Sequence, residues 1–551
     1  MRCSHCARFA LAASMLVPVP AVPSAQTLAS EMVKLPVAVE AGDVAGSDVD
    51  IDGPTAVCGL LKADYVDPVT KEETSNAGAV KVFRRSGAGW LEEAHLTAPT
   101  PVSNSGFANV VALSGDTLLV GAHSVDTGDG PGAGAAFVYV RVGTTWQFQA
   151  TLVAEDAEAG DSFGWSVDVF GDRAVVGAWA ADIPPDTPAN AMHAGAAYVF
   201  ERASGVWVQT AKLVASDAGP QDNFGSGVAV DGNRIVVGSY HDTNALGGGA
   251  GSAYVFEGPP WVQKKKLLAF NGQAGDNFGR SVDVDGDVIA VGADRADRNS
   301  NMDSGTAYVF SGADWTQQQE VLPSGLSAEA FYGFSLALEG DQLVVGAYQT
   351  NSPSVPPLVT SGSAYLFSGP GWPWMHELQP TGIASDDAFG VSVAVGGSTI
   401  VVGASHHDLP HMTGGAAYLF CAEQLDCSVH VRLGTPPNPN VLSPGPASTS
   451  CPVVGQTWSP RIDHATFLPA ALVDVLFLST APTNIPSSVG TILCDLVQQP
   501  IFVQGAPGVP FALPVPPNCD LVGAPLCVQG ASVDPVQIRL TNALDAVIGT
   551  K

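Results

Sequence analysis

Residues 281–284 alternate polar and apolar side chains, Asp285-Gly286 offers a two-residue turn, and residues 288–292 form an uninterrupted apolar run. This pattern predicts a β-hairpin with a half-buried first strand and a fully buried second one. A variable loop follows, then a third apolar strand over residues 306–310. A fourth is predicted from a tryptophan-led polar/apolar alternation, seen most clearly in residues 261–267. No helical period interrupts the series.

The same frame returns along the chain. The Gly of a Gly-Ala-like step stands at Gly59, Gly121, Gly177, Gly238, Gly292, Gly346 and Gly403. A Phe-Gly step precedes it at Phe163-Gly164, Phe224-Gly225, Phe278-Gly279 and Phe389-Gly390, with Tyr332-Gly333, Phe107-Ala108 and Ala45-Gly46 as variants. A Gly-x-Ala-Tyr-aliphatic-Phe block follows from Gly195, Gly251, Gly305, Gly362 and Gly415, with looser copies from Gly78 and Gly134. Seven units of four short strands predict a seven-bladed β-propeller, with an open solenoid as the alternative. Closure can be judged from the ends. The seventh unit stops at Phe420 without a fourth strand, while residues 31–37 have the pattern of one, as residues 209–214 do before the next unit. The amino-terminal segment is therefore expected to complete the last blade and leave no open sheet edge.

These residues resemble the FG-GAP repeat proteins, whose repeats also build the head of the integrin α-subunit, and most of all their compact bacterial form. The resemblance runs from about Glu31 to Phe420. It implies a propeller used as a binding or adhesion surface. Integrin-type repeats hold calcium in a long Asp-x-Asp-x-Asp-Gly loop, but here that loop has shrunk to Asp231-Gly232, Gly115-Asp116 or Asp285-Gly286-Asp287. A two-residue turn cannot supply the six to eight oxygens calcium takes. The nearest approach to a calcium loop is Asn299, Asn301 and Asp303, with Asp294 and Asp297 upstream; Ser304 and Phe310 stand where Gly and Glu belong, so it reads as a polar loop. No cofactor is expected, with calcium the one ion left open.

The ends differ from the repeat. Arg2 and Arg8 precede an apolar run over residues 9–17, and a small-residue cleavage region ends near Ala25, which predicts a signal peptide over residues 1–25. The propeller is assigned to residues 26–420 and a small β-sandwich-like domain to 421–551, after a Pro-rich stretch at 434–440. That last region resembles a carboxy-terminal module of exported bacterial proteins. It holds Cys421, Cys427, Cys451, Cys494, Cys519 and Cys527, read as up to three disulfides, with Cys421/Cys427 and Cys519/Cys527 as neighbouring pairs. No stretch after the leader is long and apolar enough for a membrane helix. A secreted or cell-surface protein is expected.

Charge narrows the partners. With 53 Asp and Glu against 23 Lys and Arg, the net charge of −30 argues against nucleic acid and favours an extracellular protein or glycan. No catalytic signature is present; Ser166, Ser281, Ser335 and Ser392 lie in strands without a repeated His partner. Asp161, Asp222, Asp276 and Asp387, each two before the Phe, read as turn caps. The periodic Trp90, Trp146, Trp207, Trp261 and Trp315 read as blade packing, and His406, His407, Asp408 and His411 as a solvated loop group. The residues after each Gly-Ala step, His123, Trp179, Tyr240, Asp294, Tyr348 and Ser405, point to the face of the long loops. They either cover blade edges or, for the aromatic ones, form a shallow platform for a glycan or protein. The expected function is a non-enzymatic binding or adhesion scaffold; the rivals are a polysaccharide hydrolase or lyase and a structural envelope component.

Overall fold

The computed structural model describes residues 28–29, 33–37, 39–40, 42–86, 89–183, 192–351, 359–380, 382–406 and 414–422, and beyond them the strands of the carboxy-terminal region. The predicted signal peptide, the group His407, Asp408 and His411, and the side chains of Cys427, Cys451, Cys494, Cys519 and Cys527 lie outside the described residues. Cys421 is buried and disulfide-bonded. Cys58 is buried and free.

Seven antiparallel sheets form the blades of a β-propeller. Blade five shows the plan: Phe278–Asp285, Val288–Ala293, Thr306–Ser311 and Gln317–Val321 pair in sequence order. Its turn proper is Gly286-Asp287, one residue later than the sequence pattern suggests. Asp285 still pairs with Val288, and Gly286 takes the left-handed backbone (φ 54°) that a tight turn needs. The hydrophobic core lies between blades rather than within them. One buried cluster, for example, joins Leu119 and Val138 of blade two to Phe163, Val167 and Tyr198 of blade three.

The repeated motifs are explained by these interfaces. In the Phe-Gly step, the ring of Phe278 packs edge-on against Tyr308 and Phe310 of its own blade, at 5.5 and 5.9 Å between centroids. Its backbone meanwhile bridges Gly251 of the preceding blade. The same bridge joins Gly134 to Phe163, Gly195 to Phe224, Gly305 to Tyr332 and Gly362 to Phe389. The Gly of the Gly-Ala step serves the opposite neighbour: a Cβ on Gly238 would stand 2.0 Å from the carbonyl oxygen of Gly279. The blades approach too closely at these points for any side chain.

Closure uses the same contacts. Ala45 bridges Gly415, and a Cβ on Gly403 would meet the Gly46 carbonyl at 2.3 Å. Val33–Lys34 pairs with Ala416–Cys421, Val33 opposite Leu419 and Lys34 opposite Tyr418, as the missing fourth strand of blade seven. Leu35 continues the segment; its N–H donates to the Ala417 carbonyl and its side chain is buried with Val401, Leu419 and Ala45. A feature not anticipated from the sequence precedes it: Leu28–Ala29 runs parallel to Trp374–Leu378 as a fifth strand on blade six.

The carboxy-terminal region contains a five-stranded sheet in the order Ser428–Arg432, Ile538–Val547, Pro525–Val533, Val473–Ser479, Ile501–Gly505. Leu476 and Val528 are fully buried in it. No α-helix occurs among the described residues, and none is long and apolar enough to cross a membrane.

Candidate functional site

The first strands of all seven blades surround a central channel. At one end it widens to a cavity of about 490 Å³ lined by residues such as Ser47, Asn109, Trp165, Arg280, Phe334 and Tyr348. Deeper in, the residue between two aliphatic ones in the first strand is Asp50, Asp168 and Asp283 in blades one, three and five and alanine in the other four. Each carboxylate accepts two backbone N–H bonds: one from the next residue in its own strand, the other from the following blade at Leu113, Val230 or Leu338, over 2.6–2.7 Å. Burial, then neighbouring carboxylates, push Asp50 and Asp283 up to about 7, and Asp168 is also raised well above the usual carboxylate range. Both oxygens of each are engaged, one within its strand and the other in joining blades.

The strand serines and loop aspartates are likewise structural. The hydroxyls of Ser166, Ser281 and Ser335 donate to the carbonyls of Gly225, Gly333 and Gly390 in the next blade. Asp161, Asp222, Asp276 and Asp387 each accept the N–H three residues earlier, as turn caps do. Trp146 donates to Glu93 and Trp207 to Gln149 of the preceding blade, and the Arg234 guanidinium lies over Trp315 at 4.8 Å. These rings are blade packing on the outer part of the molecule.

Asn299, Asn301 and Asp303 do not converge. The Asn301 amide donates to the Leu326 carbonyl, the Asp303 N–H is capped by Asp297, and Asn299 is exposed. Among the described residues no three His, Cys, Asp or Glu side chains are grouped as a metal would require.

Of the residues following the Gly-Ala steps, Tyr348 and Ser405 line the cavity, and the aromatic and charged ones fall into two groups. In blades two and three, His123 packs against Trp165, Trp165 against Trp179 and Trp179 against His193, at 5.0, 5.6 and 6.1 Å. The His123 Nδ1 and Trp179 Nε1 atoms are buried without a partner, and burial lowers the His123 pKa. In blades four to six, Tyr240, Asp294 and Tyr348 gather around Arg280. Its guanidinium lies 5.6 Å over the Tyr240 ring and 4.4 Å over Phe334, while Phe334 and Phe331 pack on Tyr348 at 4.6 and 5.7 Å. Arg295, exposed, sits 5.4 Å over Phe331. Beneath them Asp294 is 4% exposed with Oδ1 unpartnered. Burial raises its pKa to about 6 against the opposing pull of Arg280 and Arg295. Ser405 and His406 complete the rim from blade seven.

Sequence reasoning did not single out Trp165, Arg280 and Phe334. All three occupy the position after Phe-Gly, where other blades carry Ser226 and Val391. Unlike residues at one fixed position of an otherwise regular repeat were the available signal. The blade geometry makes that position face the channel.

The FG-GAP repeat model matches residues 90–139, 146–200, 207–256, 261–310, 315–367 and 372–420. Each matched segment takes the fourth strand of one blade with the first three of the next, so the sequence repeat is offset from the blade by one strand. No curated protein matches the chain. Among solved structures, a chain of the one titled "Crystal Structure of Mitotic Checkpoint Complex" is 11% identical with a TM-score of 0.40, over 75% of this chain and 99% of that one. Six repeat matches covering more than half of the sequence, on blades whose contacts account for the repeated residues, place this chain in the FG-GAP repeat family.

Proposed function

We propose that the protein is an exported, non-enzymatic binding scaffold that recognises an extracellular glycan or protein at the channel mouth on its long-loop face. The observation that carries this reading is the convergence at that mouth of the aromatic and cationic side chains Trp165, Arg280, Phe334 and Tyr348 from blades three, five and six. Arg141, Arg173, Arg202, Arg234 and Arg298 are all ion-paired, whereas Arg280 and Arg295 have no ion pair among the described residues in a chain of net charge −30. Rings with polar edges around a concave site are the usual anchors of recognition. Export is supported by the basic and apolar leader pattern of residues 1–25. The serines and the channel aspartates, which would be the first candidates for chemistry, are held in interblade hydrogen bonds.

The test is a glycan and matrix-protein array probed with the wild type and with the triple variant Trp179→Ala/Tyr240→Ala/Tyr348→Ala, with turnover of each bound glycan followed in parallel. Binding that the variant loses is expected. Binding unaffected by the triple variant, or release of glycan fragments, would overturn the reading.

A further inference from the structure

We propose that the channel mouth takes an acidic saccharide, with Arg280 receiving its carboxylate; this rests on the binding-face reading above and specifies the ligand. Two guanidinium groups, Arg280 and Arg295, act on a single buried carboxylate, Asp294, so cations outnumber anions in this cluster beside the cavity. The Arg280 side chain makes neither hydrogen bond nor ion pair among the described residues; its guanidinium lies over the rings of Tyr240 and Phe334. A guanidinium held against rings and without a hydrogen-bond partner has N–H groups to offer, and its edge matches a carboxylate in two parallel hydrogen bonds.

The surroundings choose among carboxylates. Trp165, Phe334 and Tyr348 give the cavity flat apolar walls suited to the C–H faces of a sugar ring, and Asn109 and His406 add polar groups for hydroxyls. Its volume of about 490 Å³ lies within the roughly 300–1,000 Å³ of small-molecule sites, and its concave form suits a short or terminal saccharide better than a protein surface. The acidic group across the cavity, Asp48, has its oxygens taken by the Val111 N–H and the Ser392 hydroxyl. Asp50, Asp168 and Asp283 lie deeper in the channel. Their oxygens are occupied by backbone N–H groups and offer a carboxylate no donor, whereas Arg280 does so at the rim.

Isothermal titration with trigalacturonate, its methyl ester and a hexameric Glu peptide tests this on the full chain. The free acid should bind, its methyl ester at least tenfold more weakly, and raising the salt should weaken only the acid. Arg280→Gln should lose at least tenfold for the acid and nothing for the ester, and Arg280→Lys should recover part of the loss, while both variants keep the wild-type unfolding midpoint. Equal binding of acid and ester, sensitive to Trp179→Ala or Tyr348→Ala, would overturn the carboxylate assignment and leave the binding face standing. Binding of the Glu peptide alone would replace the saccharide with a protein ligand. An absence of binding by all three probes would overturn the proposal, and the array above would then decide the binding face separately.

Discussion

Substituting Gly238 with alanine isolates what holds neighbouring blades together. The added Cβ would stand 2.0 Å from the Gly279 carbonyl oxygen and 3.0 Å from its carbon, with backbone on both sides of the contact. Gly238 is paired in mid-ladder with Gly227 and Ala253, so no flexible side chain can move aside. The interface between blades four and five would have to open by more than an ångström. That places the cost at the upper end of the roughly 1–3 kcal/mol of overpacked cores, or above it. Two other glycines provide the scale. Gly232 sits in an open turn with φ +54° and nothing within 4 Å of its added Cβ, so Gly232→Ala costs only the left-handed strain of about 1–2 kcal/mol. Gly128 has neither a positive φ nor a neighbour, and alanine there should be neutral or stabilising by a few tenths of a kcal/mol. Urea unfolding followed by tryptophan fluorescence should rank the midpoints Gly128→Ala, Gly232→Ala, Gly238→Ala from highest to lowest. A Gly238→Ala midpoint equal to that of Gly128→Ala would refute the close-approach account of the repeat.

Three further outcomes are expected. Leu35→Ala should lower stability by about 2–5 kcal/mol, the range for burying a truncated leucine site, and should speed proteolysis at blade seven; wild-type resistance would mean the amino-terminal strand does not hold the ring. Asp50 and Asp283 have folded pKa values near 7, above the roughly 3.9 of an unfolded Asp, so the native state binds the extra protons and stability should fall as pH rises from about 4 through 7. Thermal melts across that window check the sign, and Asp283→Ala should flatten the slope. Ser281→Ala, which removes the 2.8 Å bond to Gly333, should cost about 1 kcal/mol in the same urea assay; no measurable change would show that the bond adds nothing between blades five and six.

Blade number, strand order and ring closure were legible because each depends on a local pattern repeated in register. Residues 31–37 could be matched to a missing strand since every other unit displayed one. The Phe-Gly and Gly-Ala steps could be found by spacing, but not their purpose, because the atoms that exclude a side chain at Gly238 belong to Gly279, in the next blade. The site was only half legible for the same reason. His123, Trp179, Tyr240, Asp294 and Tyr348 were reachable from the rule that a strand end points to the loop face. Their division into a His/Trp group and an Arg-centred group depends on Trp165, Arg280 and Phe334: Trp165 and Arg280 reach His123 and Tyr240 from the following blade, whereas Phe334 packs on Tyr348 of its own blade. The parallel strand at Leu28–Ala29 has no repeat partner in the sequence, and two residues are too few to show a period.

The way the ring is fastened also fixes how it would respond to mechanical load. Val33 lies opposite Leu419 and Lys34 opposite Tyr418, so the amino-terminal side of one strand and the carboxy-terminal side of the other leave the sheet at the same end. Tension between the two would therefore peel their hydrogen bonds one after another instead of shearing them together, once the short pairing of Leu28–Ala29 with Glu377 and Leu378 had given way. Blade seven is thus where a pull from the two ends of the propeller would open the ring, with blades one to five, whose strands are each contiguous in sequence, out of the line of force.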